Sequence, residues 1–98
     1  MDLVEILDNI AEDSPVAAKS VLRNIVECAN QLSDTPEKYR IVPELLDQGI
    51  ATYREIIVSP WRIIYKVDRR SVVVLTAIDG RRNVEDILLH RLTTRTLR

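Results

Sequence analysis

The sequence predicts an α+β fold in which a helical hairpin packs on a small antiparallel β-sheet, followed by a C-terminal helix. Three runs rich in β-branched residues, Tyr53–Val58, Trp61–Val67 and Ser71–Ile78, are joined by links of two or three residues. Links this short suit only antiparallel neighbours, so the runs form a three-stranded meander. Upstream, apolar residues recur at helical spacing on both sides of a short break at Asp13-Ser14-Pro15, which is typical of a helical hairpin.

The composition indicates one globular domain covering residues 1–98. The chain is 46% apolar and contains a single cysteine, Cys28, on an apolar helical stripe, which fits a buried thiol in a reducing compartment. No apolar run approaches the roughly 20 residues of a membrane span. The start has no basic segment followed by an apolar one, as a signal peptide would. We therefore expect a cytoplasmic protein that does not contact a membrane.

The first helix carries an apolar stripe made of Leu3, Ile6, Leu7 and Ile10. Ser14 is a good N-cap for the second helix, and Pro15 suits its first position. The second helix should end near Ser33-Asp34, because Thr35-Pro36 disfavours its continuation. Its predicted apolar stripe consists of Ala18, Val21, Leu22, Ile25, Ala29 and Leu32.

Alternation along the middle strand divides it into two faces. Trp61, Ile63, Tyr65 and Val67 point one way, and Arg62, Ile64 and Lys66 point the other. The third strand is apolar on both parities, with Val73, Leu75 and Ala77 on one and Val72, Val74 and Ile78 on the other. A strand that is apolar on both faces needs cover on both. The hairpin covers one face, and the cover of the second comes from the C-terminal segment or from another chain.

The expected core between the hairpin and the sheet contains Ile25, Trp61, Ile63 and Leu75. Four residues of the connector, Ile41, Val42, Leu45 and Leu46, should attach it to this core. After the meander, Asp79-Gly80 turns the chain and Asn83 caps the last helix. The predicted apolar stripe of that helix consists of Val84, Ile87, Leu88 and Leu92.

The net charge of −1 conceals two halves of opposite sign. Residues 1–50 carry four Lys or Arg against ten Asp or Glu, and residues 51–98 carry ten against five. A basic half made mostly of arginine suits phosphate or an acidic protein partner. The alternative is that the two halves attract each other within the fold.

Four sequence motifs, in this order along the chain, resemble those of the RelE/ParE superfamily of bacterial toxins from type II toxin–antitoxin systems. The resemblance is strongest to the ParE branch. The four motifs are IAEDSPVAA at the helix–helix link, IVPEL in the connector, SPWRIIYKVD across the second strand and VVVLTAIDGRR at the end of the third. The resemblance extends from Asp2 to Arg82.

The chain departs from the family pattern at two places. Family members usually begin with a strand before the helix that carries Asp2-Leu3 here, whereas this sequence begins at or just before that helix, so we expect either that the start has been assigned to a later Met or that the strand has been lost. The sheet would then expose an edge that a partner strand could fill. The second departure is Asp79, where the ParE-like branch often has His before Gly-Arg-Arg.

The resemblance implies one of two mechanisms. RelE-like members cut messenger RNA on the ribosome, which requires activation of a 2′-hydroxyl, stabilisation of the transition state and protonation of the leaving oxygen. Here Arg62, Arg81 and His90 are the candidate catalytic residues. Glu55, however, stands where a cation is expected, and Leu88 stands where a tyrosine is expected. ParE-like members are instead reported to inhibit DNA gyrase and need no bond-breaking groups.

We therefore expect a ParE-like toxin that inhibits DNA gyrase by binding, arrests growth and is neutralised by a cognate antitoxin. The alternatives are a RelE-like, ribosome-dependent messenger RNA endoribonuclease, or a decayed toxin that only binds its antitoxin. No metal site or cofactor is expected, and contact with DNA should occur only through the antitoxin. The residues expected to bind the antitoxin or the target, on the second sheet face and a basic rim, are Arg54, Arg62, Ile64, Val74, Arg81 and Arg82.

Overall fold

A computed structural model describes residues 3–31 and 38–96, and in these ranges it confirms the predicted α+β fold. The helices are α1 (Leu3–Asp13), α2 (Pro15–Asn30), the short α3 (Pro43–Leu46) and α4 (Val84–Thr96). The strands are β1 (Arg54–Val58), β2 (Trp61–Asp68) and β3 (Ser71–Asp79), in the spatial order β1-β2-β3. Both strand pairings are antiparallel, as predicted for a meander.

The second helix of the hairpin, α2, begins at Pro15, as the sequence predicts. The Ser14 side chain accepts a hydrogen bond from the Ala17 amide at 3.1 Å, and Pro15 takes the first helical position. The helix ends at Asn30, before the predicted end at Ser33-Asp34, which lies outside the described residues together with Leu32.

The apolar stripes of the hairpin are partly as predicted. Ile6, Ile10, Val21 and Ile25 are buried against the sheet, with Leu3, Leu7 and Ala18 packed around them. Two stripe positions of α2 were assigned wrongly, because Leu22 is 43% exposed and Ala29 is also exposed. The buried face of α2 is thus narrower than its sequence stripe, and it centres on Val21, Ile25 and Cys28.

A β-bulge in β3 changes the predicted sides of Val72, Val74 and Leu75. Ile64 pairs with Thr76 but Tyr65 pairs with Val74, which leaves Leu75 as the additional residue. Val74 and Ala77 therefore both pack toward the hairpin, while Leu75 lies on the opposite face. The prediction of Leu75 between hairpin and sheet is wrong, and Val74 does not share a face with Ile64. Ile25 and Ile63 are buried between the hairpin and the sheet as predicted, and Trp61 is partly buried there.

Two apolar cores lie on the two faces of the sheet. The first joins the hairpin to Ile56, Ile63 and Tyr65. The second forms under α3 and α4, where the fully buried residues are Val42, Leu45, Ile64 and Leu88. The C-terminal helix therefore covers the second sheet face, which is one of the two alternatives that the sequence left open.

The connector is attached to both the core and the sheet. Val42 and Leu45 are fully buried as predicted, whereas Leu46 is 50% exposed. Ile41 forms a bridge with Arg54, and the Val42 amide donates to the Tyr53 carbonyl at 3.0 Å. The connector thus covers the outer edge of β1. None of the helices in the described part of the chain combines the length and apolar character needed to cross a membrane.

Candidate functional site

Arg62 on β2 holds two carboxylates. Its Nε donates to Glu55 Oε1 at 2.6 Å, and its two terminal nitrogens donate to the two Glu44 oxygens at 2.7 Å each. The other Glu55 oxygen accepts from Arg40 Nε. Strands β1 and β2, helix α3 and the connector therefore meet in one ion-pair network, Arg40–Glu55–Arg62–Glu44.

Burial and hydrogen bonding make the charged groups of this network depend on one another. The Glu55 side chain is fully buried, and an unpaired carboxylate there would be costly. The hydrogen bond from Arg62 lowers the pKa of Glu44 despite partial burial, and the same bond raises the pKa of Arg62. Glu55 thus neutralises Arg62 inside the fold and does not meet a ligand at an open surface. A phosphate could reach Arg62 only by displacing a carboxylate.

Gly80, in the turn after β3, packs closely against the aliphatic part of the Arg62 side chain. A Cβ atom at Gly80 would lie 3.1 Å from the Pro60 carbonyl oxygen and 3.2 Å from Arg62 Cδ. A side chain at this position would crowd both groups. The close approach of Gly80 helps to fix Arg62 in its orientation toward Glu44 and Glu55.

The predicted basic rim lies at the C-terminal end of β3. Arg81 donates two hydrogen bonds to the Asp79 carboxylate, from Nε at 2.9 Å and from a terminal nitrogen at 2.5 Å. The Arg81 side chain is 77% exposed. The Arg81 hydrogen bonds lower the pKa of Asp79 to about 2, and Asp79 in turn raises the pKa of Arg81. Arg82 is exposed beside this pair. The rim therefore presents cations at any physiological pH.

A cleft of about 290 Å³ opens beside the rim. Its lining includes four consecutive β3 residues, 76–79, which places it at the edge of the strand. Thr76 at this position is 1% exposed, and its hydroxyl has no hydrogen-bond partner among the described residues. The remaining lining residues are Asp13, Trp61, Arg82, Ile87 and Arg91. The cleft offers unpaired strand edge and two arginines to a partner.

The structure does not bring all of the predicted binding residues together. Arg81 and Arg82 are neighbours at the rim, but Ile64 is buried under α4 and Val74 faces the hairpin. Arg54 donates to the Tyr39 carbonyl at 2.6 Å and is partly buried. A continuous surface containing Ile64 and Val74 is absent from the described residues.

The predicted nuclease residues are not assembled either. His90 is exposed on α4, and no hydrogen bond or ion pair joins it to Arg62 or Arg81 within the described ranges. Leu88 is fully buried in the second core. No group of three metal-binding side chains forms in the part of the chain that the structure describes.

Several site residues had no sequence signal. Arg40 and Glu44 lie in the connector, which has no periodicity, and their partners are 15 and 18 residues away. Thr76 and Arg91 meet at the cleft only because α4 folds back over the sheet. Of these four, Glu44 and Thr76 lie within two of the family motifs, IVPEL and VVVLTAIDGRR, but neither motif indicates the ion pair of Glu44 or the unpaired hydroxyl of Thr76.

Comparison with known proteins identifies the family of the chain. Residues 1–84 match the family described as the ParE toxin of type II toxin-antitoxin system, parDE. The chain is also similar to a protein named Toxin ParE3 from Caulobacter vibrioides, with 30% identity over 84 residues, which is 85% of this chain and 80% of that relative. The chain therefore belongs to the ParE toxin family of type II toxin–antitoxin systems.

Proposed function

We propose that this toxin inhibits DNA gyrase by binding to it, without cleaving a bond, and that a cognate antitoxin neutralises it. The observation that carries the proposal is the closed ion-pair network around Arg62. A binding toxin tolerates an arginine whose donors are held by Glu44 and Glu55, because such an arginine only has to stabilise the fold.

RNA cleavage would need groups that this chain keeps apart or lacks. Arg62 would have to leave two carboxylates to stabilise a transition-state charge. The tyrosine expected of a RelE-like nuclease is replaced by Leu88, which is buried and has no proton to donate. His90 lies exposed on α4 without a described link to either arginine. These features favour binding over catalysis.

The antitoxin is proposed to dock along β3 and not across the second sheet face, which α3 and α4 cover. In the described part of the chain β3 pairs only with β2, so its outer amides and carbonyls are available to an added strand. Arg82 and Arg91 line the adjacent cleft, and Arg81 lies nearby at the rim. An extended, acidic antitoxin segment would complement both the strand edge and these cations.

Neutralisation by this route is steric. The same rim is proposed to contact gyrase, because Arg81 and Arg82 are its exposed cations next to the cleft. An antitoxin that covers the rim would therefore prevent the contact with the target.

The proposal is tested by titrating the purified toxin into a gyrase supercoiling reaction. The wild type should inhibit supercoiling, and Arg81→Glu/Arg82→Glu should weaken inhibition at least tenfold, because ion pairs at a rim are lost and replaced by repulsion. The matched control Lys19→Glu/Arg23→Glu makes the same charge change on exposed residues of α2 and should inhibit like the wild type. A wild type that binds the antitoxin but leaves supercoiling intact would instead be a decayed toxin or, if it cuts messenger RNA on the ribosome, a RelE-like nuclease.

Antitoxin docking is tested separately by hydrogen exchange. The antitoxin should slow exchange at the amides of β3 residues 76–79 and near Arg82. Protection confined to the outer surfaces of α1 and α2 would contradict docking at the β3 edge.

A further inference from the structure

The turn between β2 and β3 has an unusual backbone for its residues. Asp68 pairs with Ser71, so Arg69 and Arg70 form a two-residue hairpin loop. Their φ angles are 51° and 67°, both in the left-handed region. A two-residue loop with two positive φ angles is a type I′ turn, for which Asn-Gly is strongly preferred. Two L-arginines here are strained, because each Cβ crowds its own backbone.

Contacts within the fold do not explain this choice. Both arginines are exposed, and neither forms an ion pair with any described residue. A turn whose only role was to connect two strands would gain stability from Asn-Gly. Strained residues that persist without internal partners are often retained for function.

The surroundings of the turn suit a protein partner. We define the hairpin tip as residues 66–73, which form the end of the β2–β3 hairpin and not of the helical hairpin. It contains three cations, Lys66, Arg69 and Arg70, against the single anion Asp68. Val67 and Val73 are 41% and 36% exposed, and they lie on opposite faces of the sheet, one on each side of the arginine turn. Phosphate needs only the cations, whereas cations beside exposed apolar side chains complement an acidic protein surface with apolar neighbours.

The hairpin tip is also distant from the rim at Arg81 and Arg82. The two lie at opposite ends of β3, which has nine residues and therefore a length of about 25–30 Å. An antitoxin segment docked in the cleft does not have to reach the tip. The tip is thus a second basic surface, separate from the one at the cleft.

We propose that the hairpin tip is a contact surface for an acidic patch on the toxin's protein target, and that Arg69 and Arg70 are kept in a strained turn for that contact. This inference rests on the proposed function, since the target is gyrase. It assigns to the target a site that the antitoxin does not share.

Two variants separate strain from charge. Arg69→Asn/Arg70→Gly removes both the strain and the cations, and it should raise the thermal midpoint by several degrees, about 4–8 °C for a domain of this size. Arg69→Gln/Arg70→Gln removes the cations but keeps side chains that disfavour positive φ, and it should not raise the midpoint. Both variants should lose about tenfold or more in affinity for gyrase, and the wild-type affinity should fall with added salt.

Binding of each variant is measured with intact gyrase, with the antitoxin and with a short DNA duplex. The proposal expects weakened gyrase binding, unchanged antitoxin binding and no tip-dependent binding to the duplex. Unchanged gyrase binding by a more stable Asn-Gly variant would overturn it and make the tip a simple turn. It would also be overturned by an Asn-Gly variant that is no more stable, or by tip-dependent binding to the duplex. If the wild type does not bind gyrase at all, the proposed function fails instead.

Discussion

Glu44 is the residue that converts Arg62 from an available cation into a structural one. Two hydrogen bonds of 2.7 Å join them, and Glu55 holds the remaining side of the guanidinium. The pairing lowers the pKa of Glu44 below its ordinary value of 4.5. Its ionised form is therefore favoured by folding, and the pair stabilises the protein above that pH.

We predict an acid-dependent loss of this stabilisation. Because the folded-state pKa is lowered, the contribution is complete above about pH 4.5 and disappears as the pH falls through the folded-state pKa. Glu44→Gln should lower the unfolding free energy by about 1–3 kcal/mol at pH 7, since a charge-assisted bond is lost. Its difference from the wild type should shrink near pH 3.

Thermal unfolding followed at pH 7 and pH 3 measures this difference. Glu12→Gln, the same exchange at an exposed position of α1, should change stability at pH 7 by less than about 0.5 kcal/mol. A Glu44→Gln difference that is equally large at both pH values would contradict the ionic origin of the effect.

Ile63 tests the face assignment of β2. It is fully buried in the first core, so Ile63→Ala should cost about 2–5 kcal/mol through lost contacts and a cavity. Ile57→Ala on the neighbouring strand makes the same change at a side chain that is 54% exposed, and it should cost much less. Denaturant unfolding of both variants gives the comparison, and similar costs would mean that Ile63 does not face the core.

At the scale of elements, local patterns predicted the strands well and their sidedness less well. The observed β1, β2 and β3 begin and end within one residue of the predicted runs, because Ser59-Pro60 and Asp68-Arg69-Arg70 interrupt the β-branched residues. The bulge at Leu75 could not be read from the sequence, since β3 is apolar on both parities and either alternation fits. The ion-pair network was equally hidden, because it joins strands to an aperiodic connector.

Helix α4 is the element that closes the second sheet face. Asn83 caps it by accepting from the Asp86 amide at 3.2 Å, and Val84 and Leu88 are buried in the second core. Because this helix occupies the sheet face where the antitoxin was expected to bind, we propose the strand edge and the cleft as the docking surface.

Leu88→Ala should therefore loosen α4 from the sheet. The fully buried side chain leaves a cavity, and the unfolding free energy should fall by about 2–5 kcal/mol. Hydrogen exchange within α4 should accelerate more than exchange within α2. Leu46→Ala, at a leucine of α3 that is 50% exposed, is the control and should have little effect. Equal acceleration in α2 and α4 would contradict a specific role for Leu88 in docking α4.

At the scale of the whole molecule, the family resemblance is recognisable from four sequence motifs, and the fold agrees with it. The site was only partly predictable. The position of Arg81 and Arg82 directly after β3 could be predicted from the sequence. The cleft could not, because residues of α1, β3 and α4 form it together. The resulting molecule has exposed arginines at one end of the sheet and pairs Arg62 of the middle strand with two carboxylates, which is suited to binding.

The central claim, that this toxin acts by binding and not by cutting RNA, is tested most directly on ribosomes translating a defined messenger RNA. Reactions with the wild type and with His90→Ala are compared by mapping the RNA ends. We predict no codon-specific cuts with either protein, and growth arrest by His90→Ala equal to that by the wild type, because no proton has to be transferred. Codon-specific cuts by the wild type that disappear in His90→Ala would contradict the account and identify a nuclease.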